Sequence, residues 1–460
     1  MSLNRDIEKL SMLDAKGHKL KIIPAEVTGH FRKYRDWTEA FLVLFFLILP
    51  WTKMNGIQTI LLDIPSRKFA IFGLVFFAHD GPLLFFLLAI LTIGLALLTT
   101  LFGRAWCGWA CPQTVFIDGV YRRIEILTEG KYFDRRQLDR SPMSLNKFLR
   151  GSLKWFLFIL VSSIIAHSFI AYFVGAEDLI KMIFADPRLN WWPFILVFST
   201  TGALAFNFGW FREQFCIIMC PYGRFQSVLQ DESSVTVAYD VARGEPRKGS
   251  ADYGQKKGDC VNCFRCVEVC PTGIDIRNGA QMECIACTSC IDACDEIMVK
   301  VEKPKGLIRY SSLDGGGVKY LRARVISYTA LILIAVMGLS YNIINRSPLE
   351  IFILRGKDAP YALNTAADGS LVLMNHMRLH LENQTFKEMN FKIEEPADWA
   401  PHGIHLTMPE SDIHLPPGHF VMLHFFITAP RELVKGTGKF TTKLDVNGIS
   451  KIFTIVGPTE

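Results

Sequence analysis

The sequence predicts a multidomain membrane protein. An α-helical bundle of about five spans carries a cysteine-rich α+β insert and is followed by an all-β sandwich. Three observations predict it. Half of the 460 residues are hydrophobic and lie in blocks rather than scattered. Eight of the twelve cysteines fall in two copies of one spacing between the fourth and fifth block. Residues 346–460 switch to an alternation of apolar and polar residues.

The blocks lie near 38–58, 82–103, 154–175, 191–211 and 325–345. Each is about 20 residues long, enough to cross the hydrocarbon core of a bilayer. The segment 69–78 is too short to span and reads as an interfacial piece or hairpin. Residues 1–37 are polar and charged, so no cleavable signal peptide is expected and the chain begins as a cytoplasmic segment. Lysine and arginine set the orientation. Residues 1–37 carry eight of them, 104–152 nine and 211–324 sixteen, whereas 59–81 and 176–190 carry two each. The basic segments are expected in the cytoplasm, and an odd number of spans then puts 346–460 in the periplasm. The expected order is a membrane domain over 38–235, a cytoplasmic insert over 236–324, a last helix over 325–345 and a periplasmic domain over 346–460. The net charge of +6 is accounted for by these loops and needs no nucleic-acid partner, while the apolar blocks call for a lipid bilayer.

Cysteine usage bears on the same point. All twelve lie within 107–111, 216–220, 260–270 and 284–294, on the expected inner side, and 346–460 has none. In a reducing compartment such thiols are ligands or redox groups rather than structural disulfides.

The most specific stretch is "CVNCFRCVEVCPTGIDIRNGAQMECIACTSCIDACD". Cys260, Cys263, Cys266 and Cys270-Pro271 make C-x2-C-x2-C-x3-CP. Cys284, Cys287, Cys290 and Cys294 repeat it, with Asp295 in place of proline. This is the bacterial two-cluster ferredoxin spacing, in which the fourth ligand of each cluster comes from the other repeat. One 4Fe-4S cluster is therefore assigned to Cys260, Cys263, Cys266 and Cys294, and a second to Cys270, Cys284, Cys287 and Cys290. Two zinc knuckles are the alternative. Clusters imply one-electron transfer, and zinc would imply architecture.

A second cysteine pattern closes two of the apolar blocks. "WCGWACPQ" ends the second span with Cys107 and Cys111, and "CIIMCPYG" follows the fourth with Cys216 and Cys220. If the spans continue as helix, residues four apart share a face. Proline at 112 and 221 can start a new helix and re-aim the thiols. Arg104, Arg212 and Arg224 are near in sequence and would favour thiolate. Two hairpins with the same ending amount to an internal duplication by topology, and packed together they would gather four sulfurs. Thiolates select copper(I), zinc or iron–sulfur clusters. The quartet thus reads as a copper site, a third cluster, a dithiol couple or small apolar packing residues.

These motifs, with "VAYDVARGEPR" at 237–247 and "KGLIRYSS" at 305–312, resemble the CcoG/FixG/RdxA family of cytochrome c oxidase accessory proteins over nearly the whole chain. The resemblance implies a multi-pass protein of the bacterial inner membrane with an immunoglobulin-like C-terminal domain. It implies a role in assembling cbb3-type oxidase by reducing Cu(II) to Cu(I), with Cys107, Cys111, Cys216 and Cys220 as catalytic and copper-binding residues. Implied partners are oxidase assembly factors and a copper chaperone or transporter. The electron donor is not written in the chain, and a homodimer is compatible with it. Two other functions fit the residues: an electron-transfer subunit linked to quinol or ferredoxin, with the quartet holding a third cluster, and a non-enzymatic redox-sensing scaffold.

The sequence carries no dinucleotide fingerprint, so a nicotinamide site is not expected. No G-x-G-x-x-G follows a strand, and "DGGG" at 314–317 lacks the lysine and hydroxyl residue of a phosphate loop, so it reads as a hinge. The stretch 240–259 reads as a flexible linker. In the C-terminal domain "SLVLMNHMRLHLEN" and "HFVMLHFFITAP" read as strands. Seven of the eleven histidines are there, with Met374, Met377, Met389, Met408 and Met422. His376 and His380 share a strand face, which raises a copper-binding surface beside the plainer readings of packing and solvent contact.

Overall fold

The computed structural model describes residues 21–459 except 55, 66–67, 77–79, 249–257, 313–318, 366–370, 386–387 and 410. The expected hinge at 314–317, the middle of the expected linker and residues 1–20 lie outside the described residues. The chain forms two compact units, one comprising residues up to 52, 60–67 and 78–340, the other 53–59, 68–77 and 341–460.

Among the described residues, four helices are long and apolar enough to cross a membrane: Gly81–Phe102, Leu145–Val174 and Trp191–Phe211 in the first unit, and Ala323–Ile344, most of which belongs to it. Their outward residues are large and bare, Phe85, Leu88 and Leu91 among them. Such a surface calls for lipid rather than water, because within each helix the backbone groups are already paired. The helix Leu145–Val174 starts nine residues before the expected span, since the Ser144 side chain accepts from the Lys147 amide and caps a polar first turn. Phe116, Ile117, Tyr121, Phe158, Ile165 and Phe208 make the buried seam between helices.

The expected first span differs from the structure. The helix runs from His30 to Ile48, not from 38 to 58. It is followed by a 3-10 turn at Leu49–Trp51 and by the short strands Lys53–Met54 and Ile57–Gln58. Its first half contains Arg32, Lys33, Arg35, Asp36 and Glu39. Apolar patterning could not place its start, because Arg35 and Glu39 are each 1 % exposed and paired with each other at 3.1 Å. The expected hairpin at 69–78 corresponds to the strands Lys68–Ile71 and Leu74–Phe76, which pair antiparallel.

The cysteine-rich insert is closed by the antiparallel strands Val235–Tyr239 and Ile308–Ser312. Its core packs Val237, Ile274, Ile276, Ile291, Met298, Leu307 and Ile308 around the cysteines. Part of the expected linker is ordered. Val241–Gly244 is a helical turn capped by Asp240, and Arg243 binds Asp259 at 2.6 Å.

The second unit is the all-β domain. In its main sheet His405–Thr407, Phe420–Pro430, Leu371–Asn383 and Leu349–Arg355 lie in that order, with Ala362–Thr365 also on Leu371–Asn383. Met389–Lys392 pairs with Asp412–Leu415, and Lys439–Val446 with Ile449–Val456. Alternate residues turn inward: Leu373, Met377, Leu379 and Leu381 of one strand meet Phe425, Ile427 and Ala429 of the next in a shared core with Trp399 and Ile455.

Candidate functional site

The two ferredoxin repeats fold alike, and the reason is local. Asn262 and Ala286, each just before the middle cysteine, have φ of 56° and 52°. Phe264 and Thr288, just after it, have φ of 59° and 63° and start the helices Arg265–Glu268 and Ser289–Lys300. Alternating left-handed residues curl each loop so that cysteines three apart point to one centre. Two small cavities result, each of about 20 Å³. Cys260, Cys263, Cys266 and Cys294 line the first, with Tyr239, Phe264 and Met298. Cys270, Cys284, Cys287 and Cys290 line the second, which Cys266 also borders. The first cavity thus draws three cysteines from one repeat and one from the other, and the second has three from the later repeat with Cys270 and the bordering Cys266 from the earlier one. Burial raises the thiols of Cys266, Cys284 and Cys294 to about 12, with neighbouring cysteines adding to it. Burial likewise raises Cys270 and Cys290. A dry cradle of crowded thiols is the donor set that fits a cationic iron–sulfur core and suits little else.

The C-x3-CP pairs do not lie on continuations of the spans, contrary to the expectation. The helix Gly81–Phe102 stops at Gly103, where φ is 54°. A short helix Ala105–Trp109 carries Cys107, and Cys111 is extended, at the N-cap of the helix that Pro112 opens. The second pair repeats this. Arg212 has φ of 53°, the turn Phe215–Met219 carries Cys216, and extended Cys220 precedes the helix Pro221–Leu229. Proline at the first helical position suits both, since its missing N–H would be unpaired there anyway.

All four thiols are half-buried and close enough for their charges to act on one another. Burial pushes Cys107 up to about 11, although Gln226 donates to its sulfur at 3.1 Å. Burial also raises Cys111 and Cys216. The expected thiolate stabilisation by arginine is therefore outweighed. Arg212 turns away to Glu125 at 3.2 Å, and Arg104 donates to the carbonyls of Gly223 at 2.8 Å and Cys284 at 3.4 Å. Among the described residues, no three His, Cys, Asp or Glu side chains close on a single metal ion. A cubane spreads its cysteines over separate irons and does not require such convergence.

Sequence reasoning missed a buried charge network beside the thiol turns. Asp118, 4 % exposed, accepts from Arg35 and Arg122, and Arg122 reaches on to Glu213. Glu125 takes Arg135 at 2.5 Å and Arg212. Arg35 also donates to the carbonyls of Gly108 at 3.0 Å and Cys287 at 3.3 Å. The one available signal was charge inside an otherwise apolar pattern.

In the β-domain, His376 and His380 do share a strand face. The two nitrogens of His376 meet Asp358 at 2.5 Å and His424 at 2.8 Å, while His380 meets Glu382 at 3.4 Å. Its ring nitrogens are engaged, so the copper-surface expectation gains no support.

Comparison with known proteins bears on every part. Residues 83–131 match a 4Fe-4S binding domain, 211–313 a 4Fe-4S dicluster domain, and 339–453 the IG-like fold at the C-terminal of FixG. Protein RdxA of Cereibacter sphaeroides is 31 % identical over 443 residues, 91 % of this chain and 92 % of that one. Protein RdxB of the same organism is 34 % identical, covering 82 % and 83 %. Nitrogen fixation protein FixG of Rhizobium meliloti is 33 % identical, covering 76 % and 75 %. With thiol cradles in its insert and, among the described residues, four helices long and apolar enough to cross a membrane, this chain belongs to the FixG/RdxA family of membrane iron–sulfur electron-transfer proteins.

Proposed function

We propose that the protein is a membrane cupric reductase that serves the assembly of a cbb3-type cytochrome oxidase. The observation that carries this reading is the gathering of Cys107, Cys111, Cys216 and Cys220 against the loop that bears Cys284 and Cys287. The clusters would be held by Cys260, Cys263, Cys266 and Cys294 and by Cys270, Cys284, Cys287 and Cys290. Bound there, they supply single electrons at low potential. Cupric ion needs one electron to become Cu(I), and thiolates prefer the reduced ion. Each thiol that binds copper gives up its proton to solvent, so reduction and capture occur at one set of atoms. A separate low-potential donor protein supplies the electrons, and a copper chaperone or transporter exchanges the ion. The oxidase role rests on the sequence resemblance.

In this reading the insert lies in the cytoplasm and 346–460 in the periplasm of a bacterial inner membrane. Basic-residue counts support that, and one apolar helix separates the two segments in sequence. A fifth crossing by His30–Ile48 is supported by its contacts. Arg35 meets Gly108 at one end, while Phe46 accepts from Tyr172 at 2.8 Å and Trp51 donates to Ser168 at 3.3 Å. Tyr172 and Ser168 lie near the far end of Leu145–Val174.

A second reading keeps the quartet for a third 4Fe-4S cluster. It is favoured by the match of residues 83–131, which contain Cys107 and Cys111, to a 4Fe-4S binding domain. Anaerobic metal analysis of the whole protein decides. About eight irons per chain, with Cu(I) binding lost on Cys107→Ser plus Cys111→Ser, is the result expected of the reductase. About twelve irons, falling to about eight in that variant, would establish the third cluster instead.

A further inference from the structure

We infer that Arg35 is the positioning residue that joins the two cysteine systems. The ferredoxin site coupled to the membrane thiols is then the one lined by Cys270, Cys284, Cys287 and Cys290. The site of Cys260, Cys263, Cys266 and Cys294 is the outer one, facing the electron donor. The inference rests on the reading that both sets of cysteines act in one electron path.

Arg35 is 1 % exposed, and its planar fork is fully engaged. Nε donates to the Gly108 carbonyl, between Cys107 and Cys111, at 3.0 Å, and Nη1 donates to the Cys287 carbonyl at 3.3 Å. Nη2 goes to Asp118, which keeps the charge buried and compensated. One guanidinium therefore hydrogen-bonds the backbone of both sites, which lysine with its single point charge could not do in the same geometry.

Three further contacts fasten the same joint. A Cβ on Gly108 would fall 2.6 Å from the carbonyl oxygens of both Ile285 and Ala286, so the two loops touch backbone to backbone and only glycine fits. Arg104 binds Cys284 O at 3.4 Å and Gly223 O at 2.8 Å, tying that loop to the helix behind Cys220. Asp292, between Cys290 and Cys294, accepts from the amides of Phe31 at 3.3 Å and Arg32 at 2.7 Å. It thereby satisfies the exposed N–H groups that open the helix carrying Arg35. The other four cysteines include the exposed Cys263, as an entry point requires.

The role follows from charge and contact. Arg35 does not titrate, so no proton moves through it. One electron leaves the external donor and one reaches Cu(II) at the thiols, with no bond to Arg35 made or broken. Its positive charge beside Cys287 raises the potential of the adjacent site, because hydrogen bonds and local charge set cluster potentials. The unbroken contact of the 285–287 loop with Gly108 supplies the short route.

The test uses full-length protein in detergent. In Arg35→Gln, redox titration followed by EPR should lower the midpoint of one of the two ferredoxin signals and leave the other unmoved. The shifted signal should be the one altered by Cys290→Ser and not by Cys263→Ser. After reduction with dithionite, reoxidation by added Cu(II) should be about 10–100-fold slower, the usual size of losing an outer partner of a metal site, with iron content unchanged. Gly108→Val should slow reoxidation without moving either midpoint. Arg35→Lys should restore the midpoint but not the full rate, and these two variants carry the test if Arg35→Gln loses iron. A shift in the Cys263-dependent signal, or wild-type reoxidation in both Arg35→Gln and Gly108→Val, overturns the inference. Failure of Cu(II) to reoxidise even the wild type would reject the copper reading, while the midpoint assignment still decides the place of Arg35.

Discussion

Replacing Asp118 with asparagine should destabilise the membrane unit far more than its conservative size suggests. Asp118 is 4 % exposed and pairs with Arg35, itself 1 % exposed, and with Arg122. Asparagine keeps the shape but leaves an unbalanced positive charge among groups that water cannot reach. Removing one partner of a buried pair costs about 3–5 kcal/mol, because the survivor keeps its desolvation penalty. At roughly 2 °C per kcal/mol for a large domain, the melting temperature should drop by roughly 6–10 °C. The assay is tryptophan fluorescence during heating in detergent. The exposed pair Asp178–Lys181, at 3.0 Å, is the control: Asp178→Asn should shift melting by about 1 °C or less. The pH dependence has a definite sign. Burial alone would raise the Asp118 carboxyl, but Arg122, Arg35 and Arg32 outweigh it and hold it below the ordinary carboxylate range. Its contribution is therefore complete above the unfolded value of about 3.9 and is lost as pH falls through the lower folded value. The part of the gap between wild type and Asp118→Asn that comes from the Asp118 carboxylate should be present at neutral pH and close only below about 4. Melting of Asp118→Asn within about 1 °C of wild type at pH 7 would refute the network's role.

Three other outcomes are expected. Cys263→Ser and Cys294→Ser should change one and the same EPR signal, and Cys270→Ser and Cys290→Ser the other; if Cys294 travels with Cys290, the crossed assignment of ligands fails. Trp399, 1 % exposed and donating to Thr442 at 2.9 Å, anchors the β-domain core, so Trp399→Ala should cost about 3–5 kcal/mol in denaturant titration, and a loss under about 1 kcal/mol would contradict its placement. A reporter fused after residue 460 should be active only in the periplasm and one inserted near residue 250 only in the cytoplasm, whereas the reverse pattern would show that basic-residue counting misleads here.

Local features of this protein were legible because they depend on near neighbours. The cysteine spacing announces two curled loops, and the left-handed residues at 262, 264, 286 and 288 are the backbone's way of realising it. Four of the apolar blocks correspond to helices within a few residues at most ends, since a bilayer-length run has few other stable forms. The proline after Cys111 and Cys220 marked new helices, and alternation marked strands such as Leu371–Asn383. Hydropathy also misled where charge and burial coincide. The helix His30–Ile48 hides Arg35 and Glu39 at its buried face, so its polar start looked like a solvated tail.

Tertiary structure alone decided how the cysteine systems meet. Arg35, Gly108 and Cys287 are separated by 73 and 252 positions in the hydrogen bonds that Arg35 makes, and no pattern along the chain links them. The sequence also suggested that nearby arginines would favour thiolate at the membrane cysteines. In the fold Arg212 is committed to Glu125, and burial raises Cys107 to about 11 instead. Spacing and composition report what each segment can form by itself. Desolvation and the partners of a buried charge arise only when segments pack, and here they determine both the state of the thiols and the joint through which electrons would reach them.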